Sequence, residues 1–135
     1  MGKLYRTREG PITGVNTKSQ LTTVGSETAP GPLLVPTAAR RISAVIFTVA
    51  CDMAVAADGA YITRLEGPGL PEGPETIVVG ASGVQVATGG SYAQPAMRVE
   101  VDIPVIPANE ILIFGENTGE DTGSTTMGIT LEFAN

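Results

Sequence analysis

Carboxylates are the residues of this chain best suited to chemistry. Glu116, Glu120 and Asp121 stand with Asn117 in GENTGEDTGSTTMG, the stretch from Gly115 to Gly128. Oxygen ligands of this kind are what calcium accepts. Their spacing departs from the D-x-[DN]-x-[DN]-G pattern of a calcium loop, and a solvated acidic hairpin tip fits the same residues better; contact with a partner is a third reading. Asp52 and Asp58 would join such a calcium set only where the fold carries their turn to the same end. A second pair, Glu100 and Asp102, lies two residues apart and so on one face of a strand. Paired carboxylates are the tools of a glycosidase. Such an enzyme wants an aromatic substrate cleft, which a chain with three Tyr, three Phe and no Trp is poorly equipped to build. With Arg98 beside them, Glu100 and Asp102 read as a solvated face.

Histidine is absent from the chain. That removes the commonest general base and transition-metal ligand, and with it every Ser/His/Asp or Cys/His nucleophile system. No phosphate-cradling GxxxxGK[ST], no GxGxxG after a strand and no CxxC pair occurs. We expect no catalytic residues, no enzymatic activity and no cofactor.

The elements that must position these groups are strands. The chain has 135 residues, the size of one domain able to bury its own core. Hydrophobic residues make up 42% of it but aromatics only 4%, so the core is built from Val, Ile, Leu and Ala. Glycine and proline are frequent, and they punctuate short apolar runs along the chain. AMRVEVDI alternates most clearly, with Met97, Val99, Val101 and Ile103 on one side and Arg98, Glu100 and Asp102 on the other. TTMGITLEF sets Met127, Ile129, Leu131 and Phe133 against Thr126, Thr130 and Glu132. AYITRLE, TIVVGA, GVQVATG and a strand near 110–115 add to the count; AVAADGA has room for one turn of helix. RRISAVIFTVACDM is apolar in both alternating sets, so that strand either is buried on both sides or faces a partner on one. The lone Cys51 reads as a small buried side chain. The whole predicts an all-β protein: an antiparallel β-sandwich, jelly-roll-like, of seven or eight strands.

Residues 1–32 read differently. Gly, Pro, Thr and Ser dominate them, and only LTTV has the look of a strand. Such a segment cannot repay its ordering entropy alone. We expect an extended basic N-terminal arm over 1–32 and a β-sandwich domain over 33–135. Charge divides along nearly the same line: residues 1–41 hold six of the eight basic side chains and two of the fourteen acids, giving a positive arm on an acidic body. Lys3, Tyr5, Arg6, Arg8, Lys18, Arg40 and Arg41 are therefore the expected partner-binding residues.

Several partner classes fit poorly. Nucleic acid would meet a negative body. Sugar recognition favours flat aromatic platforms, and Tyr5, Tyr61 and Tyr92 are widely separated. No run approaches the roughly 20 apolar residues that span a bilayer, and MGKLYRTREG lacks the apolar stretch of a secretory signal, so we expect a protein made in a cytoplasm, away from membranes.

An arm of one sign on a body of the other favours assembly, since complementary charge steers such contacts and an extended arm can add a strand to a foreign sheet edge. With its extended arm before PLLVP and its terminal hairpin IPANEILIFGENTGEDTGSTTMGITLEF, the chain resembles the capsid decoration, or cement, proteins of tailed bacteriophages, and more loosely single jelly-roll virion proteins. That resemblance implies a non-enzymatic structural virion protein made in the host cytoplasm and placed on the capsid surface. It would clamp neighbouring subunits of the major capsid protein as a homo-oligomer, commonly a trimer, with the arm docked on a neighbour. The alternative is a receptor- or carbohydrate-binding module using the loops around Tyr61, Tyr92 and 115–128.

Overall fold

The computed structural model describes residues 2–14, 16–24, 31–52, 58–82, 84–85, 91–118 and 124–135. Strands run through them and no helix does. Ten segments follow in order: β1 (Leu4–Ile12), β2 (Ser19–Gln20), β3 (Leu33–Leu34), β4 (Arg41–Asp52), β5 (Asp58–Glu66), β6 (Glu75–Ser82), β7 (Val84–Gln85), β8 (Ser91–Pro104), β9 (Glu110–Asn117) and β10 (Ser124–Ala134). One sheet has the order β1-β10-β4-β8; in the other, β9 and β5 lie centrally, with β2 and β3 along the outer side of β9 and β6 and β7 along that of β5. All the pairs are antiparallel.

The pairing is nested. The first strand pairs with the last, β2 and β3 with β9, β4 with β8, and β5 with β6 and β7. That wrapping of one long antiparallel ribbon into two packed sheets is a jelly roll. The strands read from AMRVEVDI, AYITRLE and TTMGITLEF all appear where their alternation places them. The turn of helix considered at 54–60 falls largely on residues outside those described; its last three, from Asp58, are strand.

The core lies between the sheets. Met127, Ile129, Leu131 and Phe133 of β10 and Ile42, Val45, Phe47 and Val49 of β4 face Ile111 and Ile113 of β9 and Tyr61 and Leu65 of β5. Strand β4 departs from simple alternation. Its register against β10 shifts between Glu132 and Phe133, so that Ser43 and Ala44 together oppose Glu132. A bulge of this kind re-aims side chains. It returns Ile42 to the core and leaves Ser43 on the outer face. The apolar outer set of β4 is thus buried at one end only: Ala44 is buried, Ile46 half-buried, Thr48 and Ala50 exposed.

The described residues of 1–32 pack on the sandwich and are not a separate arm, and here the structure corrects the sequence expectation. Strand β1 pairs with β10 over nine consecutive residues, from Leu4 opposite Phe133 to Ile12 opposite Thr125. Glu9 and Thr23 then exchange backbone hydrogen bonds, the Asn16 amide donates to the Asn117 carbonyl, and the Leu21 amide donates to that of Ile113. Ile12 and Leu21 enter the core. The segment does need a surface to order on, and that surface is the remainder of its own chain.

A close approach of the sheets makes this possible. A Cβ on Gly115 of β9 would stand 2.5 Å from Ile12 Cδ1 and 2.7 Å from Met127 Sδ. Any larger residue there would have to displace the ends of the Ile12 and Met127 side chains. Gly115→Ala is expected to cost about 1–3 kcal/mol, the usual penalty of overpacking. A melting temperature equal to that of the parent chain would show that Ile12 yields freely.

Candidate functional site

The acidic stretch is mostly strand. Gly115 to Asn117 end β9 and Ser124 to Gly128 begin β10, and residues 119–123 lie outside those described. Of the calcium candidates, Glu120 and Asp121 lie outside the described residues. Glu116 turns to the outer face of the second sheet, where Arg64 Nη2 approaches its Oε2 at 3.4 Å and its side chain is only 11% exposed. Asn117 is buried. Among the described residues no three His, Cys, Asp or Glu side chains gather as ligands. Backbone pairing sets Asp52 of β4 opposite Ser91 and Ser124, and Asp58 of β5 opposite Gln85.

Glu116 instead borders an open cleft of about 550 Å³ on the outer face of that sheet, lined with Lys18, Arg64, Glu66, Glu75 and Thr76 among others. Each of its two cations is matched by a carboxylate, with Glu75 in excess. Lys18 Nζ lies 2.6 Å from Glu66 and 4.5 Å from the centre of the Phe114 ring, while Arg64 also donates to Thr76 Oγ1 at 3.2 Å. Cation and carboxylate neutralise one another there, and the cleft presents no unmatched cation to an anionic ligand.

Among the described residues a dense polar cluster lies on the outer face of the first sheet, around Glu132, which alternation sets opposite the core-facing row of β10. The Glu132 side chain is 1% exposed although it points away from the core. It accepts from Lys3 Nζ at 2.8 Å, Tyr5 Oη at 3.0 Å, Ser43 Oγ at 2.7 Å and both terminal nitrogens of Arg98 at 2.5 and 2.9 Å. One carboxylate on β10 therefore ties together the N-terminal segment, β4 and β8. The Arg98 hydrogen bonds, then those of Lys3 and Ser43, hold the Glu132 carboxyl well below the usual carboxylate range, against the opposing effect of burial. A group kept ionised by so many donors does not carry protons near neutral pH. It acts as a staple.

The expected partner-binding residues mostly serve this internal docking. Lys3 and Tyr5 hold Glu132, and Lys18 holds Glu66. Arg8, its pKa lowered by burial and then by Arg6, donates through Nε to the Gly31 carbonyl and through Nη2 to that of Pro32. Arg41 lies 3.9 Å from Asp102 and donates to the Asn135 carbonyl. Arg6 and Arg40, both exposed, bond to backbone carbonyls up to three residues away. The charge complementarity read from sequence is real, and its described contacts are within the chain. Glu100 and Asp102 form a solvated face, each side chain 83% exposed. Tyr61 is buried in the core and offers no platform to a sugar.

Sequence reasoning missed Glu132, Ser43 and Arg98 as a cluster. Alternation shows the faces of Arg98 and Glu132 but misplaces Ser43, which the bulge re-aims, and nothing local shows that the 34 residues between Arg98 and Glu132 close to hydrogen-bond distance. No protein-family model matches the chain, and comparison with curated proteins found no match. Among the described residues no helix is long and apolar enough to cross a membrane.

Proposed function

We propose that this protein is a non-enzymatic structural virion protein that decorates a capsid and stabilises it by bridging neighbouring subunits of the major capsid protein. The observation that supports this reading is the nested jelly-roll wrapping, an architecture used by capsid and lectin domains alike, in which the carboxylates buried among the described residues, Glu116 and Glu132, are engaged by cations. The lectin branch lacks support, because Tyr61 is buried, the cleft is lined by ion pairs, and no Trp occurs in the chain.

The mechanism differs from a docking arm. The N-terminal segment staples its own sheet, so attachment falls to the exposed faces and edges of a rigid body, multiplied by self-association. The resemblance to cement proteins implies three copies. The test is localisation: particles banded on a density gradient, probed with an antibody raised against this chain. Recovery at a fixed ratio to the major capsid protein is expected. Recovery of the chain in the soluble fraction alone overturns the proposal.

A further inference from the structure

Three segments meet at one end of the sandwich: residues 33–36, the connection from β5 to β6 at 67–74, and the turn at 106–109 that leads into β9. Their backbones are strapped together. The Val35 amide donates to the Asn109 carbonyl and the Ala108 amide returns a bond to Val35, both at 2.9 Å; the Ile106 amide donates to Gly69, and that of Gly69 to Glu110. Val35, Leu70, Val105 and Ile111 of these segments are buried in the core. On this fixed base two large apolar side chains are left in water. Leu34, opposite Glu110 in the ladder, is 58% exposed, the most of any large apolar residue described, and Ile106 is 39% exposed. Pro107 and Ala108 form the centre of the turn, where Ala108 holds a φ of 63°. Glycine or asparagine suits that conformation and suits water. Here alanine bears the strain, and the tip is apolar.

We propose that this end, with Leu34 and Ile106 at its centre, is the face that docks on the capsid, and that the surface receiving it is apolar with a rim of lysine or arginine. The proposal rests on the attachment role above and names the face that performs it. Charge selects the chemistry of the partner. Glu72 and Glu110 are exposed at this end and form no ion pair among the described residues, whereas Glu66, Asp102 and Glu116 each have a cation beside them. Arg40, exposed nearby, turns its guanidinium to the carbonyls of Thr37 and Ala39. Two uncommitted carboxylates therefore flank the apolar side chains. A second copy answers them poorly, because its own cations are engaged by Glu66, Asp102, Glu116, Glu132 and backbone carbonyls. A basic rim on a different protein answers them directly. The strapped backbone, with Pro36, Pro68, Pro71 and Pro107 in its loops, leaves little to be ordered on docking, which favours affinity.

The test supplies the full chain, parent or variant, while particles form, and measures antibody signal on the particles banded on a density gradient. The parent is expected at its fixed ratio to the major capsid protein. Leu34→Ser combined with Ile106→Ser is expected to lower recovery at least tenfold while the melting temperature is kept, because both side chains are exposed in the free chain. Glu110→Lys, which sets a cation against the basic rim, is expected to do the same. Glu100→Lys, an equal change of charge at a position 83% exposed on β8, is expected to leave recovery at the parent level. Should the double variant melt early, Glu110→Lys decides alone. Parent-like recovery of Glu110→Lys or of a folded double variant, or equal losses for Glu110→Lys and Glu100→Lys, overturns the docking face and leaves the capsid role standing. Light scattering that shows a parent oligomer reduced to monomer by the double variant also overturns it, since a second copy then occupies the face. A parent chain absent from particles overturns both readings.

Discussion

A chain lacking residues 1–32 is expected to lose cooperative unfolding altogether. Read from sequence, that deletion removes a tether and spares the sandwich. In the structure it takes away β1, the partner of β10 over nine residues, and exposes the ladder of a strand otherwise paired on both sides. It withdraws Ile12 and Leu21, 6% and 1% exposed, from the core. Removing large buried side chains costs roughly 2–5 kcal/mol each, so the two together rival the 5–15 kcal/mol that holds a typical domain folded. Lys3 and Tyr5 leave Glu132 as well. Far-UV circular dichroism against temperature reads the outcome. A sharp transition within a few degrees of the full chain would mean that the sandwich closes without its first strand.

Replacement of Glu132 is the second large effect. Glu132→Ala removes a buried carboxylate and leaves the Ser43 hydroxyl only its longer bond, 3.3 Å, to the backbone carbonyl of position 132, while Arg98 and Lys3, about half exposed, turn to water. Breaking a buried pair by removing one partner costs about 3–5 kcal/mol, and the exposure of the cations places this case at the lower end. Its pH signature is separate from the size of the loss. The Glu132 carboxyl is held down in the folded state, so its contribution is fully present above the unfolded value near 4.5 and drains away as pH falls below it. The parent chain should therefore lose melting temperature steadily below about pH 4.5, and Glu132→Gln should flatten that slope while lying lower at neutral pH. Parallel slopes for the two proteins would show that other carboxylates govern the acid limb.

The two predictions share one cause. Residues Met1 to Pro32 look unfit to fold because their large apolar groups are few and Arg6 and Arg8 occupy positions that alternation would give to the core. Both features are those of an edge strand, whose outer side meets water and whose charges guard against pairing. Local pattern cannot tell such a strand from a disordered arm. The difference lies in whether another strand presents a ladder to it, and that strand, β10, is more than a hundred residues further along.

The sequence by itself determined the all-β class, the strands of the interior, the exclusion of histidine chemistry and the opposition of a basic leader to an acidic body. These follow from composition and from side chains alternating every second residue, which is local information. Tertiary structure decided where the leader's charge is spent and which outer-face carboxylates are buried. Each of these depends on distance between residues remote in the chain. A bulge at Ser43 and a missing side chain at Gly115 set those distances, and neither can be read from residue type alone.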